Sequence, residues 1–457
     1  MPRVCVIGGG PAGATFATRM AQLGHAVTLV ERAAFPRPRL GEALTPGVLP
    51  LLAVTGADAR VEAAGFRRAE RIVVRWGGPE RVRDDPAARS LLVDRGRFDA
   101  ALLDAARAAG VRVLQPARLV ERSGDGRGWR IAVALDGGIE RLQADFLAEA
   151  GGRAGAVRRA TGARTLAVHA YWRGGGLAGA PCLAAGREGW FWSVPLPDGS
   201  ANVLAFADPR HVRAGGVSLA ARYRALLAES GLPLAGATLA GPVRATDATP
   251  GLAAAPVAPT RISIGDAALA LDPISSSGVQ HAIRSALAGA VVANTLLRRP
   301  AAQAAALAFY RDTLGETAGH HARWAGEHYA SAGREGAFWS ARAGPAAPEP
   351  RAPAGEAAAH RPVVVAAGVE VADHPCVAGD FVALRPALRY PGAERPVAFV
   401  GGQEVVPFLR AIRQGATPVE IAQSRAGEQT FSSALALAFW MLRAGILVER
   451  EPADGAV

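Results

Sequence analysis

The stretch VCVIGGGPAGATFATRMAQLGHAVTLVE, residues 4–31, decides the fold. Its first four residues are an apolar run, which is typical of a parallel strand buried on both faces. Residues 14–23 follow with helical spacing up to Gly24, and residues 25–31 form a second strand-like run. This order of strand, glycine-rich turn, helix and strand predicts the opening unit of a dinucleotide-binding α/β fold.

The glycine-rich turn fits the spacing GxGxxG. In this motif the first glycine permits a tight turn, the second lets the backbone approach a pyrophosphate, and the third lets the helix pack on the strand. The helix N-terminus then faces the phosphates. Glu31, 18 residues after Gly13, is expected to accept hydrogen bonds from ribose hydroxyls, and it argues against a 2′-phosphorylated nucleotide. The predicted phosphate-binding residues are Gly8, Gly10, Pro11, Ala12 and Gly13.

Arginine supplies all 51 cationic side chains, because the sequence contains no lysine. The net charge of +11 favours anionic cofactors or acidic partners. The arginines are spread along the chain without a nucleic-acid-binding motif, so we expect no nucleic-acid partner. The longest apolar stretches, such as residues 286–297 and 434–442, are too short for a membrane span, and no signal segment precedes the first strand. Three widely spaced cysteines form no disulfide framework, so a cytoplasmic protein without a membrane partner is predicted.

Two further segments carry a resemblance to a known family. Residues 31–46, ERAAFPRPRLGEALTP, resemble the E-R…R…GE-x-L-x-P segment of halogenase-like flavoproteins. Residues 94–111, DRGRFDAALLDAARAAGV, are similar to the R-x-x-F-D-x-x-L segment of the same superfamily, and a single strand, VRVLQPARLVER, is expected to follow. The resemblance implies that FAD lies along Arg32, Arg39, Gly41, Glu42 and Arg95.

The closest downstream match is ISIGDAALALDPISSSGVQHAI, residues 262–283. It resembles the family segment in which a GD aspartate, here Asp266, binds the FAD ribitol. The turn P-x-x-S-x-G then presents a helix N-terminus near the flavin, where amide groups stabilise negative charge. Residues 149–162 resemble the D-A-(S/T)-G-R-(S/A) turn more loosely, with Glu149 for the aspartate. The cofactor residues implied here are Asp266, Pro273, Ser277, Gly278 and Val279.

Residues 189–195, GWFWSVP, resemble the GWxWxIP signature of flavin-dependent halogenases. Strand alternation places Trp190 and Trp192 on one face and Phe191 on the other. With Pro195, the two tryptophans are predicted to line the substrate chamber. Known flavin-dependent halogenases use an essential lysine, whereas this chain has none and carries Leu271 where the halide motif has phenylalanine. A permanently charged guanidinium cannot replace the lysine amine, so halogenation by that mechanism is excluded.

The resemblance implies an α/β fold class with a GR2-type, Rossmann-like FAD-binding domain and an antiparallel substrate domain. We expect the FAD-binding domain over residues 1–75, 90–165 and 260–340, and the substrate domain over 76–89 and 166–259. A Pro/Ala-rich linker, 341–360, precedes a small α+β, winged-helix-like domain over 361–457. In that domain Thr417 is a predicted helix N-cap with Pro418 at N1.

The predicted function is FAD-dependent monooxygenation of an aromatic substrate through a flavin C4a-hydroperoxide, with O2 as co-substrate. The chain resembles the flavoprotein monooxygenases that mature the tryptophylquinone cofactor of quinohemoprotein amine dehydrogenase. The implied substrate is a tryptophan in a partner polypeptide, during cysteine tryptophylquinone biogenesis. A small-molecule aromatic hydroxylase, an isoprenoid reductase and a non-catalytic FAD-binding partner remain alternatives. Electrons are expected from NAD(P)H or from a separate flavin reductase.

No catalytic acid or base is assigned from the sequence. Glu42, beside the flavin, and His281, after the P-x-x-S-x-G turn, are candidates. His321 and His328 lie seven residues apart on a predicted helix face, but no carboxylate or thiol completes a ligand set, so no metal site is predicted.

Overall fold

The computed structural model describes residues 1–37, 40–85, 89–154, 158–345, 359–393, 395–413, 415–425 and 430–450. The chain forms two compact units, residues 1–347 and 348–457. Arg39 and most of the predicted linker lie outside the described residues.

The α-helices are α1 Pro11–Gln22, α2 Val48–Ala53, α3 Asp58–Ala63, α4 Arg95–Ala108, α5 Pro209–Arg213, α6 Leu219–Ala228, α7 Gly278–Arg298, α8 Gln303–Ala330, α9 Ala337–Ser340, α10 Val405–Arg410, α11 Pro418–Ser424 and α12 Phe431–Arg443.

The strands of the first half are β1 Arg3–Ile7, β2 Ala26–Val30, β3 Ala43–Leu44, β4 Arg67–Arg68, β5 Ile72–Arg75, β6 Arg81–Arg83, β7 Leu91–Leu92, β8 Arg112–Leu114, β9 Arg118–Gly124, β10 Trp129–Leu135, β11 Gly138–Ala144, β12 Phe146–Glu149, β13 Arg158–Ala160, β14 Leu166–Gly174, β15 Cys182–Ala185, β16 Gly189–Pro195 and β17 Ser200–Ala207. The remaining strands are β18 Ala237–Leu239, β19 Arg244–Asp247, β20 Gly251–Ala253, β21 Val257–Ala258, β22 Arg261–Ser263, β23 Leu269–Ala270, β24 Val363–Val365, β25 Glu370–Ala378, β26 Phe381–Arg389, β27 Phe399–Val400, β28 Gln403–Glu404 and β29 Leu447–Glu449.

A six-stranded sheet in the order β21-β22-β12-β1-β2-β8 holds the predicted opening unit at its centre. Strand β1 pairs in parallel with both β2 and β12. Its side chains Val4, Cys5 and Val6 are buried, as expected for a strand with both faces covered. Helix α1 packs against α4 and α7. The predicted dinucleotide-binding α/β fold is confirmed.

The single strand expected over VRVLQPARLVER is wrong, because the structure divides it in two. Strand β8 pairs with β2 in the parallel sheet, whereas β9 pairs with β10 in a separate antiparallel sheet. Pro116 lies between them, and a proline has no N–H to donate to a sheet ladder. The break lets the chain leave one sheet and enter the other.

An eight-stranded sheet lies where the substrate domain is predicted, and we call it the substrate sheet. Its order is β18-β14-β17-β16-β15-β5-β6, with β19 also paired to β14. Most neighbours are antiparallel, as predicted, although β5 and β15 run parallel. One face packs against α6 through Phe191 and Val203, and we call it the α6 face. The other packs against α8 and α9 through Trp190 and Phe206, and we call it the α8 face.

The unit formed by residues 348–457 is a small α+β fold with its own core. Strands β25 and β26 form a long antiparallel hairpin, and β24 pairs with β29. Buried Phe408, Leu437 and Met441 contribute to the core. The Thr417 side chain accepts from the N–H of Glu420, and the Glu420 carboxylate accepts from the N–H of Thr417, which forms a capping box. The comparison with a winged helix stays a prediction.

Candidate active site

The glycine-rich turn after β1 has no room for side chains at two positions. Gly8 has φ +112°, and its N–H donates to the Val30 carbonyl oxygen at 2.8 Å. A Cβ on Gly8 would lie 2.4 Å from the Ala150 carbonyl oxygen, and a Cβ on Gly13 would lie 1.8 Å from the Gly8 carbonyl oxygen. Glycine at these positions therefore lets β1, β12 and α1 approach one another closely.

The N-terminus of α1 has no side-chain cap. Its N-cap, Gly10, offers no side-chain hydrogen bond, and Pro11 occupies the first turn. A Cβ on Gly265 would lie 2.7 Å from the Cβ of Ala12, so the turn that carries Asp266 packs closely against this helix end. Free amide groups and the helix dipole at such an end suit a pyrophosphate.

Glu31 lies at the end of β2 with its carboxylate buried. One oxygen accepts from the Gly9 N–H at 2.7 Å, and the other accepts from the Ala33 N–H at 2.9 Å. The carboxylate therefore borders the glycine-rich turn that is predicted to bind phosphate.

The structure identifies an arginine that the sequence did not single out. Arg32 is exposed and Arg39 lies outside the described residues, but Arg37 is largely buried. Its Nη2 lies 3.5 Å from a Glu31 oxygen and 3.8 Å from an Asp99 oxygen. The same atom lies 3.8 Å from the position of a Cβ on Gly10. The only sequence signal was the clustering of arginines after Glu31.

Gly41 and Arg95 meet at the predicted flavin position. Gly41 has φ +98°, and a Cβ built on it would lie 2.8 Å from Arg95 Nη1 and 3.8 Å from the Val279 side chain. Arg95 donates to both carboxylate oxygens of Asp99, at 3.1 and 3.3 Å, and to the Leu40 carbonyl oxygen. The positive φ and the close approach of the guanidinium both require glycine at position 41.

The downstream segment forms two turns beside this region. Asp266 lies 3.3 Å from Arg153 Nε, and Arg153 also donates to the carbonyl oxygens of Thr249 and Leu271. A 3₁₀ turn, Pro273–Ser275, precedes α7, whose N-cap, Ser277, makes no side-chain capping bond. Near the start of α7, the Gln280 side chain is hydrogen-bonded to Thr45 at 2.7 Å. The segments that include Gly41, Gly278 and Val279 are thus brought together.

Glu42 joins this region to the substrate sheet. Its Oε1 accepts from Asn202 Nδ2 at 2.9 Å and from the Tyr171 hydroxyl at 3.1 Å, and its Oε2 accepts from the Gly41 N–H at 2.9 Å. Asn202 and Tyr171 are register partners on β17 and β14. Burial raises the pKa of Glu42 above its usual range, although the hydrogen bonds oppose this shift. The protonated form is therefore favoured relative to a solvated glutamate.

His281 lies in the first turn of α7 and is buried. Burial, with a contribution from Arg284, lowers the pKa of His281 to about 4. Its Nε2 has no hydrogen-bond partner among the described residues. The imidazole is therefore neutral at pH 7 and has the capacity to accept a proton.

The predicted chamber residues divide between the two faces of the sheet. Trp190 is buried on the α8 face and stacks on Phe206, with ring centroids 3.7 Å apart. Trp192 is half-buried and packs beside the same cluster. Pro195 ends β16, where alternation turns it to the α6 face with Phe191. The two tryptophans therefore lie on the α8 face, in the same cluster as Leu40 and Ile274 of the predicted flavin-binding segments.

A hydrogen-bonded chain extends from this face, and the sequence did not indicate it. Trp190 Nε1 donates to the Tyr329 hydroxyl at 3.1 Å, and that hydroxyl donates to Asp272 Oδ1 at 2.9 Å. A cavity of about 160 Å³ borders Asp272 and Tyr329, together with His321 and Arg342. His321 Nε2 lies 3.2 Å from the Asp272 carbonyl oxygen, and His328 stacks between Trp76 and Trp324.

No three or more His, Cys, Asp or Glu side chains in the described parts of the chain are arranged to hold a metal ion. No helix in those parts combines the length and apolarity needed to cross a membrane.

The comparisons with known proteins agree with this geometry. Residues 1–177 match the FAD binding domain family. A tryptophan 2-halogenase from Chondromyces crocatus is 30% identical over 375 residues, which cover 74% of this chain and 70% of the relative.

Solved structures extend the similarity to nearly the whole chain. Peptidyl tryptophan dihydroxylase QhpG, which is essential for tryptophylquinone cofactor biogenesis, superposes with a TM-score of 0.74 at 30% identity, over 97% of this chain and 99% of that one. The flavin-dependent halogenase CmlS has a TM-score of 0.79 at 23% identity, over 100% of this chain and 97% of that one, which shows a shared fold. The predicted family and fold class are confirmed.

Proposed function

The chain belongs to the family of FAD-dependent flavoenzymes that includes the flavin-dependent halogenases, and we propose that it is a monooxygenase that hydroxylates a tryptophan within a partner polypeptide. The absence of lysine from the whole sequence carries this proposal. A halogenase of the known kind needs an amine that loses its proton, and arginine stays protonated in proteins. Oxygen transfer to an electron-rich ring needs no such amine.

The residues around the glycine-rich turn and the α1 N-terminus fit FAD. The α1 N-terminus with Gly10 would hold the pyrophosphate, Glu31 and Arg37 would border the adenosine half, and Asp266 would face the ribitol. When bound and reduced, FAD supplies two electrons that activate O2: one oxygen atom enters the substrate C–H bond and the other leaves as water. The uncapped N-terminus of α7 would stabilise negative charge on the reduced ring.

The α8 face of the substrate sheet suits an aromatic substrate. Trp190 and Phe206 stack within a buried aromatic cluster, and in this proposal that cluster forms the apolar wall behind the substrate site. Exclusion of water protects a reactive oxidant from unproductive decay. Substrate oxidation then depends chiefly on the distance and angle between the ring and the flavin.

Two observations support a polypeptide substrate: the similarity of this chain to QhpG and the positive net charge of the chain. QhpG acts on a peptidyl tryptophan and matches this chain over nearly its full length. A net charge of +11 would attract an acidic partner. Cysteine tryptophylquinone biogenesis is the pathway class that this substrate implies. In this proposal NAD(P)H or a separate reductase supplies the electrons, and the free cysteines fit the cytoplasm.

The domain assignment belongs to the same proposal. Residues 1–75, 90–165 and 260–340 would form the FAD-binding domain, and 76–89 with 166–259 would form the substrate domain. Strand β5, residues Ile72–Arg75, pairs in the substrate sheet, which supports moving the first boundary a few residues earlier.

Turnover measurements separate this proposal from its rivals. The FAD-loaded protein is given a reductant and O2 with a tryptophan-bearing polypeptide, with free tryptophan, or with small phenols. Faster reductant consumption with the polypeptide, together with oxygen added to its tryptophan, supports the proposal. Equal turnover of free aromatics would favour a small-molecule hydroxylase, reduction of an isoprenoid double bond would favour a reductase, and flavin cycling without product would favour a non-catalytic partner.

A further inference from the structure

The Tyr329 hydroxyl connects the substrate sheet to the turn that precedes α7. It accepts from Trp190 Nε1 at 3.1 Å and donates to Asp272 Oδ1 at 2.9 Å. The same carboxylate oxygen accepts from the Ile274 N–H at 3.0 Å and so caps the 3₁₀ turn Pro273–Ser275. Three segments far apart in sequence thus meet at two side chains.

The aromatic packing around this chain holds each ring in place. Trp190 stacks on Phe206 with an interplanar angle of 11°. The Tyr329 ring meets the rings of Phe338 and Trp339 edge to face, with centroids 6.3 and 6.2 Å away. Because Trp190, Tyr329 and Asp272 are all buried, solvent competes little for their hydrogen bonds. A shift of the turn would therefore be transmitted to Trp190.

We propose that Tyr329 and Asp272 are positioning residues, which fix the distance between the Trp190 wall of the substrate chamber and the Pro273–Ser275 turn beside the flavin. This inference rests on the proposed function, since it specifies how the chamber is aligned for oxygen transfer. Neither residue is assigned a role as nucleophile or base. Their effect is exerted through Trp190 and through the turn.

The α6 face offers a matched counterpart. There Trp172 Nε1 donates to the Tyr223 hydroxyl at 3.0 Å, and that hydroxyl donates to the Val203 carbonyl oxygen at 2.7 Å. Tyr223 is as deeply buried as Tyr329. The two chains differ in their last acceptor, which is a backbone carbonyl on the α6 face and a carboxyl group on the α8 face.

Asp272 borders a cavity. The cavity beside it has room for several water molecules and is lined in part by His321 and Arg342. Burial raises the pKa of Asp272, and the hydrogen bonds from Ile274 and Tyr329 oppose that rise. The titratable and charged groups around Asp272 are His321 and Tyr329 of α8, Arg342 after α9, Arg153, which donates to the Leu271 carbonyl oxygen, and His281 of α7, beside His321.

The test compares Tyr329→Phe with the control Tyr223→Phe in the FAD-loaded enzyme. Each variant loses one buried hydroxyl and leaves one tryptophan N–H unpaired. We expect Tyr329→Phe to lower the yield of hydroxylated product about 10- to 100-fold, because the reacting groups are misaligned, and to raise peroxide release. Tyr223→Phe should keep the product yield of the wild type. Equal yields from the two variants would overturn the proposal.

A spectroscopic measurement tests the inference without turnover. The visible circular dichroism of bound, oxidised FAD is recorded against pH for the wild type, Tyr223→Phe and Asp272→Asn. We expect a pH-dependent change in the wild type and Tyr223→Phe that Asp272→Asn lacks, since asparagine keeps the acceptor oxygen but does not titrate. The same pH dependence in Asp272→Asn would refute the role of Asp272. If the wild type shows this signal but makes no hydroxylated product, the proposed function fails independently.

Discussion

On the α6 face of the substrate sheet, Trp172 and Tyr223 form a hydrogen-bonded chain that ends on the backbone of Val203. On the α8 face, Trp190 and Tyr329 form a chain of almost the same geometry that ends on the Asp272 carboxyl group. A backbone carbonyl does not titrate. A buried carboxyl group, by contrast, exists in a protonated and an ionised form, and its surroundings set the balance between the two. We infer that the hydrogen-bonded chains stabilise the sheet on both faces, and that the chain on the α8 face also aligns the proposed chamber.

The largest expected effect comes from removing the two tryptophans. Trp172→Ala and Trp190→Ala should each lower the free energy of unfolding by about 3–5 kcal/mol, because each leaves a cavity in a packed cluster. Urea unfolding of the two variants measures this loss. Only Trp190→Ala should also reduce hydroxylated product per bound FAD.

Tryptophan-to-phenylalanine variants serve as controls if the alanine variants do not accumulate. We expect product per bound FAD to fall only with the change at position 190. An equal fall with the change at position 172 would contradict the different roles inferred for the two faces.

The next largest effect is expected from two variants at neighbouring residues of β17 whose side chains point to opposite faces of the sheet. Asn202→Ala removes a hydrogen bond to buried Glu42, and Val203→Ala removes two methyl groups from the α6 face. Each should cost about 1–3 kcal/mol of unfolding free energy at neutral pH. The Asn202 hydrogen bond lowers the pKa of Glu42, so its loss raises that pKa further.

The two β17 variants should therefore differ in their pH dependence. The raised pKa of Glu42 makes its contribution to stability largest at low pH and smaller as pH rises through the folded-state value. We expect the destabilisation by Asn202→Ala to grow with pH, and that by Val203→Ala to stay constant. Urea unfolding over a pH series measures both, and parallel pH profiles would contradict the assignment of Glu42.

The smallest effect is the pH dependence of Asp272→Asn. Because burial raises the pKa of Asp272, its ionisation disfavours the folded state, and wild-type stability should fall relative to the variant as pH rises through the folded-state value. Asp198 is an opposite control, because hydrogen bonds from Ser200 lower its pKa. Relative to Asp198→Asn, the wild type should gain stability as pH rises. Urea unfolding over a pH series gives the difference in unfolding free energy between the wild type and each variant. If this difference changed with pH in the same direction for Asp272→Asn and Asp198→Asn, the result would contradict this account.

The sequence predicted features that depend on near neighbours. Alternation along GWFWSVP placed Trp190 and Trp192 opposite Phe191, and the two hydrophobic clusters confirm this. The GxGxxG spacing predicted the strand, turn and helix around Gly8 and Gly13, because the backbone constraint acts between residues that are close in sequence.

Contacts between distant segments were not predictable from one sequence. Glu42 is separated from Tyr171 by 129 residues and from Asn202 by 160, and Tyr329 lies 57 residues after Asp272. Neither local propensity nor periodicity encodes such pairings. The sequence pattern does not predict the break at Pro116, because the apolar residues around it continue a strand-like alternation across the proline.

The choice between oxygen transfer and halogenation is tested most directly with labelled oxygen. The FAD-loaded enzyme is reduced, then mixed with ¹⁸O2, bromide and a tryptophan-bearing polypeptide, and the polypeptide is examined by intact mass and fragmentation. We predict that ¹⁸O appears on the tryptophan and that no bromine is added. Bromination of the tryptophan, or labelled oxygen on added free tryptophan while the polypeptide stays unchanged, would contradict the proposed function.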